Sequence, residues 1–258
     1  MRIEALAKEI YTAHRSGTAL AVPPSELYPG FTLAQAYEVE AEIRRLRQAE
    51  GHRVVGYKVG YANKAVWRAL KLETLVWAAM YDDTVGVVGG PGVSRPGVSQ
   101  PGVSQKIEPE IVIGMGEGLR SGAAAWIAFG FEIIDCPWPD WRFTPADFVA
   151  GMGLHRGLVI GERLPVEADG TEYMEGLASL RFSLLRDGVV VEEGAGKNSL
   201  RSPALCLAEF ARVAGIRGGE MLSTGTLTAG QPIQPGETWQ IMPAADQTLP
   251  IQGFALRI

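Results

Sequence analysis

The chain has 258 residues, 47% hydrophobic and 21% charged, which is enough apolar material for a substantial core in one large domain or two small ones. Its formal charge of -5, without a Lys/Arg cluster, lacks the basic footprint of nucleic-acid binding, and no apolar run is long enough to span a bilayer. The opening MRIEALAKEIYTAHRSG has no apolar signal-peptide core, so a soluble cytoplasmic protein is expected, with Cys136 and Cys206 as buried small hydrophobes.

Helical spacing of Ile3, Leu6, Ala7, Ile10 and Tyr11 predicts a first helix that stops at Gly17. Thr32 and Gln35 stand in capping-box register ahead of a second helix, which runs through Leu46 to Gly51. The period then changes. RVVGYKVG (53–60) reads as a strand, Asn63 caps a short helix through Leu70, and LVWAAMYDD is extended. The repeat PGVSR-PGVSQ-PGVSQ (91–105) is too short and polar to bury a face and reads as a surface loop without chemistry.

From Lys106 onward strands dominate, in KIEPEIVIG, AFGFEIID, GLVIGE, LRFSLLRDGVVVEEG and GFALRI. Asp187-Gly188 marks a hairpin, and Thr144-Pro145 and Ser202-Pro203 each open a short helix. Helices first and strands afterwards predict an α+β fold with a strongly curved or rolled sheet, not a doubly wound one.

Side chains alternate along a strand, so Glu108 and Glu110 of IEPEI share one face while Ile107 and Ile111 take the other. Glu132 stands in a second apolar strand, between Phe131 and Ile133. Three carboxylates in apolar strands suit a hard divalent cation with oxygen ligands; the alternative is a solvated strand face paired with arginines such as Arg120 or Arg142. Lys58, between Gly56 and Gly60, either approaches a substrate carboxylate or enolate or is a surface lysine. Asp82-Asp83 is either a turn or a carboxylate reaching the site, and Thr224-Gly225-Thr226 is either an anion-holding turn or an ordinary polar one. His14, His52 and His155 sit in no nucleophile motif, and Trp126, Trp138 and Trp141 read as packing residues.

In order, GYKVG, YDD, IEPEIVIG, FEIID with DWRFTPADFVA, GLVIGE and TGTLTAGQPIQPGE resemble the 2-keto-4-pentenoate hydratase / 4-oxalocrotonate decarboxylase family of the fumarylacetoacetate hydrolase-like superfamily. The resemblance runs from about Ala5 to Ile258. It implies a mixed β-roll of the fumarylacetoacetate hydrolase C-terminal-domain type with flanking helices, taken as a single domain over 1–258 with a helical part (1–52) and a roll core (53–258). It further implies a homo-oligomer and a Mg²⁺ or Mn²⁺ ion held by Glu108, Glu110 and Glu132. Lys58 falls on the family's strand lysine, and Thr224, Gly225 and Thr226 fall on its substrate-binding turn. The segment Gly151-Met152-Gly153-Leu154-His155-Arg156 departs from the polar stretch usual there.

The function so implied is a metal-dependent lyase of aromatic catabolism acting on a small 2-oxo or 2-hydroxydienoic acid, foremost the hydration of 2-hydroxypenta-2,4-dienoate. Lys58 and Asp83 are the expected proton-handling residues. A 4-oxalocrotonate-type decarboxylase would use the same ligands. An acylpyruvate-type C–C hydrolase would need a water-activating His-Glu pair on a lid, and a non-catalytic metal-binding homologue would keep the roll without turnover.

Overall fold

The structure is a computed structural model that describes residues 1–88, 104–117, 123–166 and 171–258. The expected surface loop at 91–105 lies outside these residues except for Ser104 and Gln105, which open a strand, and Arg120 lies outside them altogether.

Three helices come first: α1 (Ile3–Ser16), α2 (Pro24–Leu27) and α3 (Leu33–Ala49). Gly17 ends α1 in the left-handed conformation, and Thr32 and Gln35 form the capping box of α3. There follow β1 (Val54–Gly60), α4 (Lys64–Leu70), β2 (Val76–Tyr81), β3 (Val85–Val87), β4 (Ser104–Met115) and β5 (Ala124–Cys136). Then come α5 (Pro145–Ala150), β6 (His155–Ile160), β7 (Leu164–Pro165), α6 (Thr171–Gly176), β8 (Arg181–Arg186) and β9 (Val189–Ala195). The chain closes with α7 (Pro203–Val213), β10 (Met221–Ser223), β11 (Gln231–Pro232), β12 (Thr238–Pro243) and β13 (Ala255–Arg257). Asp187 and Gly188, both at positive φ, make the expected tight turn between β8 and β9.

The larger sheet runs β2-β1-β10-β4-β5-β6-β3, with β11 on β4 and β7 on β5; the smaller runs β13-β12-β8-β9. The larger sheet is mixed, because β1–β10 and β3–β6 are parallel and the rest antiparallel. The two sheets share one core: Ile107, Ile111, Phe129 and Phe131 meet Phe182 and Trp239, and the Phe129 and Phe182 rings lie 5.3 Å apart edge to face. Helices α1, α3 and α5 cover another part of the larger sheet through Ile10, Val39, Ile43 and Val149, packed with Val76 and Tyr81 of β2. Cys136 and Cys206 are buried free thiols, as expected. Among the described residues no helix is long and apolar enough to cross a membrane.

Candidate metal centre and active site

Five adjacent strands of the larger sheet, β1, β10, β4, β5 and β6, each carry a polar side chain into one cluster. With Ile107 and Ile111 spent on the shared core, the pleat turns Glu108 and Glu110 to the opposite face. Glu108 pairs across the ladder with Glu132 of β5, and Lys58 of β1 pairs with Ser223 of β10. Carboxylate oxygens of Glu108, Glu110 and Glu132 all lie within 4.8 Å of one another. Glu110 and Glu132 are fully buried, which rules out the solvated-face alternative for this pair.

Each buried carboxylate has different company. Glu110 Oε2 accepts hydrogen bonds from the Ser223 hydroxyl and from the Gly225 N–H (3.0 Å), whereas its Oε1 is buried without a hydrogen-bond partner. Glu132 Oε2 forms an ion pair with Lys58 Nζ at 3.0 Å, and Glu132 Oε1 lies 2.7 Å from His155 Nδ1. Lys58, 2% exposed, also donates to the Gly153 carbonyl at 2.9 Å and lies 4.8 Å from the Phe148 ring centre. A Cβ on Gly153 would come within 2.7 Å of Lys58 Cδ, and φ there is +64°, so only glycine fits this close approach.

Charge in this setting is costly, and the proton affinities shift accordingly. Burial pushes the Glu108 carboxyl up to about 7, Lys58 opposing and Glu132 adding to the rise. Burial and the neighbouring Glu132 hold Glu110 well above the usual range. Burial also acts upward on Glu132, but Lys58 and His155 outweigh it and hold this carboxyl below its ordinary value. For Lys58 burial acts downward and is outweighed by the three carboxylates, so it keeps its proton. An orphaned buried carboxylate oxygen beside two further carboxylates is a donor set that fits a hard divalent cation.

Beside the cluster opens a cavity of about 580 Å³, within the range of small-molecule sites. Lys58, Glu108, Lys106, Trp141, Phe148 and Thr226 are among its walls. Trp141, expected only to pack, faces this cavity with Lys106 Nζ 3.9 Å from its ring centre.

One expectation needs correction. Asp83 is not brought to the carboxylates: in the turn between β2 and β3 it pairs with Arg47 at 2.5 Å and faces His52 at 3.5 Å. The following residue, Thr84, points the other way, with Oγ1 3.0 Å from His155 Nε2. The turn at 224–226 places Gly225 and Thr226 in the cavity wall and has a second task. Thr224 donates its hydroxyl to the Ile111 carbonyl, Gly225 gives its N–H to Glu110, and Thr226 donates to the Thr228 carbonyl while lining the cavity. The turn therefore braces a carboxylate of the protein itself.

His155 and Ser223 were not singled out by sequence reasoning. The one available signal for His155 was its place in the unusual 151–156 segment. Met152, Gly153 and Leu154 all have positive φ there, and the β5–β6 register shifts between Ile133 and Ile134. That bulge carries His155 within reach of Glu132.

The curled mixed sheet with flanking helices and the buried carboxylate cluster define a fumarylacetoacetate hydrolase-like fold. The 4-oxalocrotonate decarboxylase of Pseudomonas putida G7, solved with magnesium and adipate, shares this fold with a TM-score of 0.81 over 99% of this chain and 96% of that one, at 24% identity. The 4-oxalocrotonate decarboxylase of Pseudomonas sp. strain CF600 is 30% identical over 224 residues, 81% of each chain. The 2-hydroxyhexa-2,4-dienoate hydratase of Comamonas testosteroni is 27% identical over 97% of each. No family profile matches the sequence. The chain belongs to the 2-keto-4-pentenoate hydratase / 4-oxalocrotonate decarboxylase family.

Proposed function

We propose that the protein is a divalent-metal-dependent lyase of aromatic catabolism that hydrates 2-hydroxypenta-2,4-dienoate to 4-hydroxy-2-oxopentanoate, with Mg²⁺ or Mn²⁺ held by Glu108, Glu110 and Glu132. The observation that carries this reading is the unpartnered Glu110 Oε1 among three converging carboxylates at the edge of a cavity of substrate size. A bound divalent cation supplies Lewis-acid stabilisation of the enolate charge on a 2-oxo acid.

The protein's own groups supply the rest. Ketonisation of the dienol yields a conjugated 2-oxo-3-enoate, and water then adds at its distal carbon. Lys58 holds a proton at Nζ in the cavity wall and is the group for proton transfer to and from the substrate's carbon chain. Trp141, Phe143 and Phe148 form an apolar wall that limits water around the diene, and Lys106 provides positive charge beside it. Asp83 has no part in this scheme.

The second reading, decarboxylation of 4-oxalocrotonate, is favoured by the 30% identity to an enzyme of that name. Loss of CO₂ would form the same dienolate over the same residues. The hydrolase reading is disfavoured because the one buried His-Glu pair among the described residues, His155 with Glu132, lies within the sheet and does not line the cavity. The protein is further taken to be a cytoplasmic homo-oligomer folded as one domain, for which size-exclusion chromatography and limited proteolysis are the checks.

The deciding experiment follows diene absorbance with 2-hydroxypenta-2,4-dienoate, 4-oxalocrotonate and acetylpyruvate, each with Mg²⁺ or with chelator. Mg²⁺-dependent loss of the dienoate supports the hydratase, and turnover of 4-oxalocrotonate alone supports the decarboxylase. Absence of turnover on all three overturns the assignment and leaves a metal-binding homologue.

A further inference from the structure

His155 takes no direct part in the chemistry above, yet it is 1% exposed and both of its ring nitrogens are engaged. Its Nδ1 meets Glu132 Oε1 at 2.7 Å and its Nε2 meets Thr84 Oγ1 at 3.0 Å. Its backbone carbonyl faces His14 Nε2 of α1 at 2.9 Å, and the next residue, Arg156, donates to the His14 carbonyl at 2.7 Å. Thr84 is itself fixed to the backbone of Tyr81. The ring is therefore held between Glu132 and the turn at Thr84, its backbone tied to α1, and it does not line the cavity.

The effect falls on Glu132. One of its oxygens is held by the imidazole, and the other faces Lys58 Nζ at 3.0 Å. With neighbours at both ends, the carboxylate plane cannot turn to present both oxygens to one ion. Ca²⁺ readily accepts bidentate carboxylates in a site of six to eight oxygens, whereas Mg²⁺ demands near-octahedral geometry and single-oxygen contacts. Partners behind the ligands commonly set how a ligand is presented.

We propose that His155, anchored by Thr84, is a positioning residue that confines Glu132 to single-oxygen ligation and so biases the site toward Mg²⁺ or Mn²⁺ over Ca²⁺. The proposal rests on the metal site assigned above. It also accounts for the unusual 151–156 segment, whose left-handed turn and neighbouring bulge deliver a histidine to a ligand that would otherwise be free to swing.

The test is calorimetric titration of the full chain with Mg²⁺ and, separately, with Ca²⁺, for the wild type and for His155→Ala, His155→Asn and Thr84→Val. His155→Ala is expected to lower Mg²⁺ affinity by roughly 10–100-fold, in line with other outer-shell losses, and to spare Ca²⁺, so that the Mg²⁺/Ca²⁺ preference shifts by about tenfold or more. His155→Asn, which keeps an N–H donor near the Nδ1 position, should restore most of that preference. Thr84→Val should shift it in the same direction as His155→Ala by a smaller factor, and it carries the test with His155→Asn if the alanine variant fails to fold. Equal loss for both ions, or an unchanged ratio in folded variants, overturns the role of His155 alone. A wild-type chain that binds neither ion overturns the metal site and this inference with it.

Discussion

Among the described residues two groups bring three metal-ligating side chains within 4.8 Å of one another: Glu108, Glu110 and Glu132 on the sheet, and His52, Asp82 and Asp83 at its edge. In the second group the two aspartates are answered by two guanidinium groups, Arg47 on Asp83 and Arg53 on Asp82. In the first, Lys58 is the one Lys or Arg among the described residues in ion-pair contact with the cluster of three carboxylates, and Glu110 Oε1 has neither a hydrogen bond nor an ion pair. The edge group is satisfied where it stands and close to solvent. The sheet group is buried at Glu110 and Glu132 and half-buried at Glu108, carries a formal excess of negative charge and is in need of a cation. Proximity of acidic side chains does not separate these clusters; the charge balance and the burial do.

The comparison is broken most forcefully at Lys58. Lys58→Met is expected to lower kcat/KM by roughly 10²–10⁴-fold, as for loss of a proton-transfer group, while calorimetry still shows Mg²⁺ binding, weakened by the loosening of Glu132 but not abolished, because all three carboxylates remain. Arg53→Met, which strips a cation from the edge group, should leave both quantities unchanged, since that ion pair is solvent-screened and Arg53 is 81% exposed. Near-normal kinetics for Lys58→Met would remove the lysine from the mechanism.

Next in size are the ligands themselves. Glu110→Gln and Glu132→Gln should each weaken Mg²⁺ binding by about 100-fold or more, beyond the usual cost of an outer-shell change, and Asp82→Asn should not alter it. The pattern would fail if Asp82→Asn shifted the isotherm and the glutamate variants did not.

A third contrast is in pH. Burial pushes Glu108 up to about 7, so below that pH an incoming ion must displace a proton, and Mg²⁺ affinity should fall by about tenfold per pH unit for each proton released. Titrations at pH 6 and 8 in buffers of different ionisation enthalpy should show proton release that shrinks at the higher pH. The sign for stability is the reverse of the usual carboxylate case. The folded metal-free chain binds a proton that the unfolded chain has lost, so between its ordinary 4.5 and about 7 this group's contribution to stability declines as pH rises, and the ion offsets the loss. Asp82, held below its ordinary value first by the Arg53 backbone N–H, has no proton to release in this range.

What the sequence discloses divides along the same line. The Glu108/Glu110 face was legible because strand period alone fixes it, and the caps at Thr32, Asn63, Thr144 and Ser202 were legible because capping is local. Lys58 was legible as a candidate, though its burial against Glu132 depends on strands that are distant in sequence. His155 reaches Glu132 across a bulge between paired strands, and neither the register nor the bulge has a local signature. The turn at 224–226 has the composition of an anion site and lines the cavity, but that the Thr224 hydroxyl, the Gly225 N–H and the Thr226 hydroxyl are engaged by Ile111, Glu110 and Thr228 is something only the tertiary pairing reveals. Asp83 was misjudged because an acidic pair after an apolar strand looks the same whether it turns toward the sheet face or toward Arg47.

That last distinction yields the smallest expected effect and the cleanest check of the edge group. Asp83 is 41% exposed, so its charge is largely screened, whereas its partner Arg47 is 3% exposed and stacks 4.1 Å from the centre of the Tyr81 ring. In Asp83→Asn the amide oxygen can still accept from Arg47, the guanidinium keeps its contact with Tyr81, and what is lost is the Coulombic part of a half-exposed pair. That part is about 0.5–1 kcal/mol, or a fall in Tm of roughly 1–4 °C for a chain of this size. Turnover should be unchanged, because the side chain faces Arg47 and His52 while Thr84 alone of this turn contacts the buried histidine. Thermal unfolding and steady-state kinetics on the one variant decide it. A small loss of stability with full activity fixes Asp83 as part of a satisfied surface network, and a large loss of kcat with an unchanged Tm would return it to proton handling.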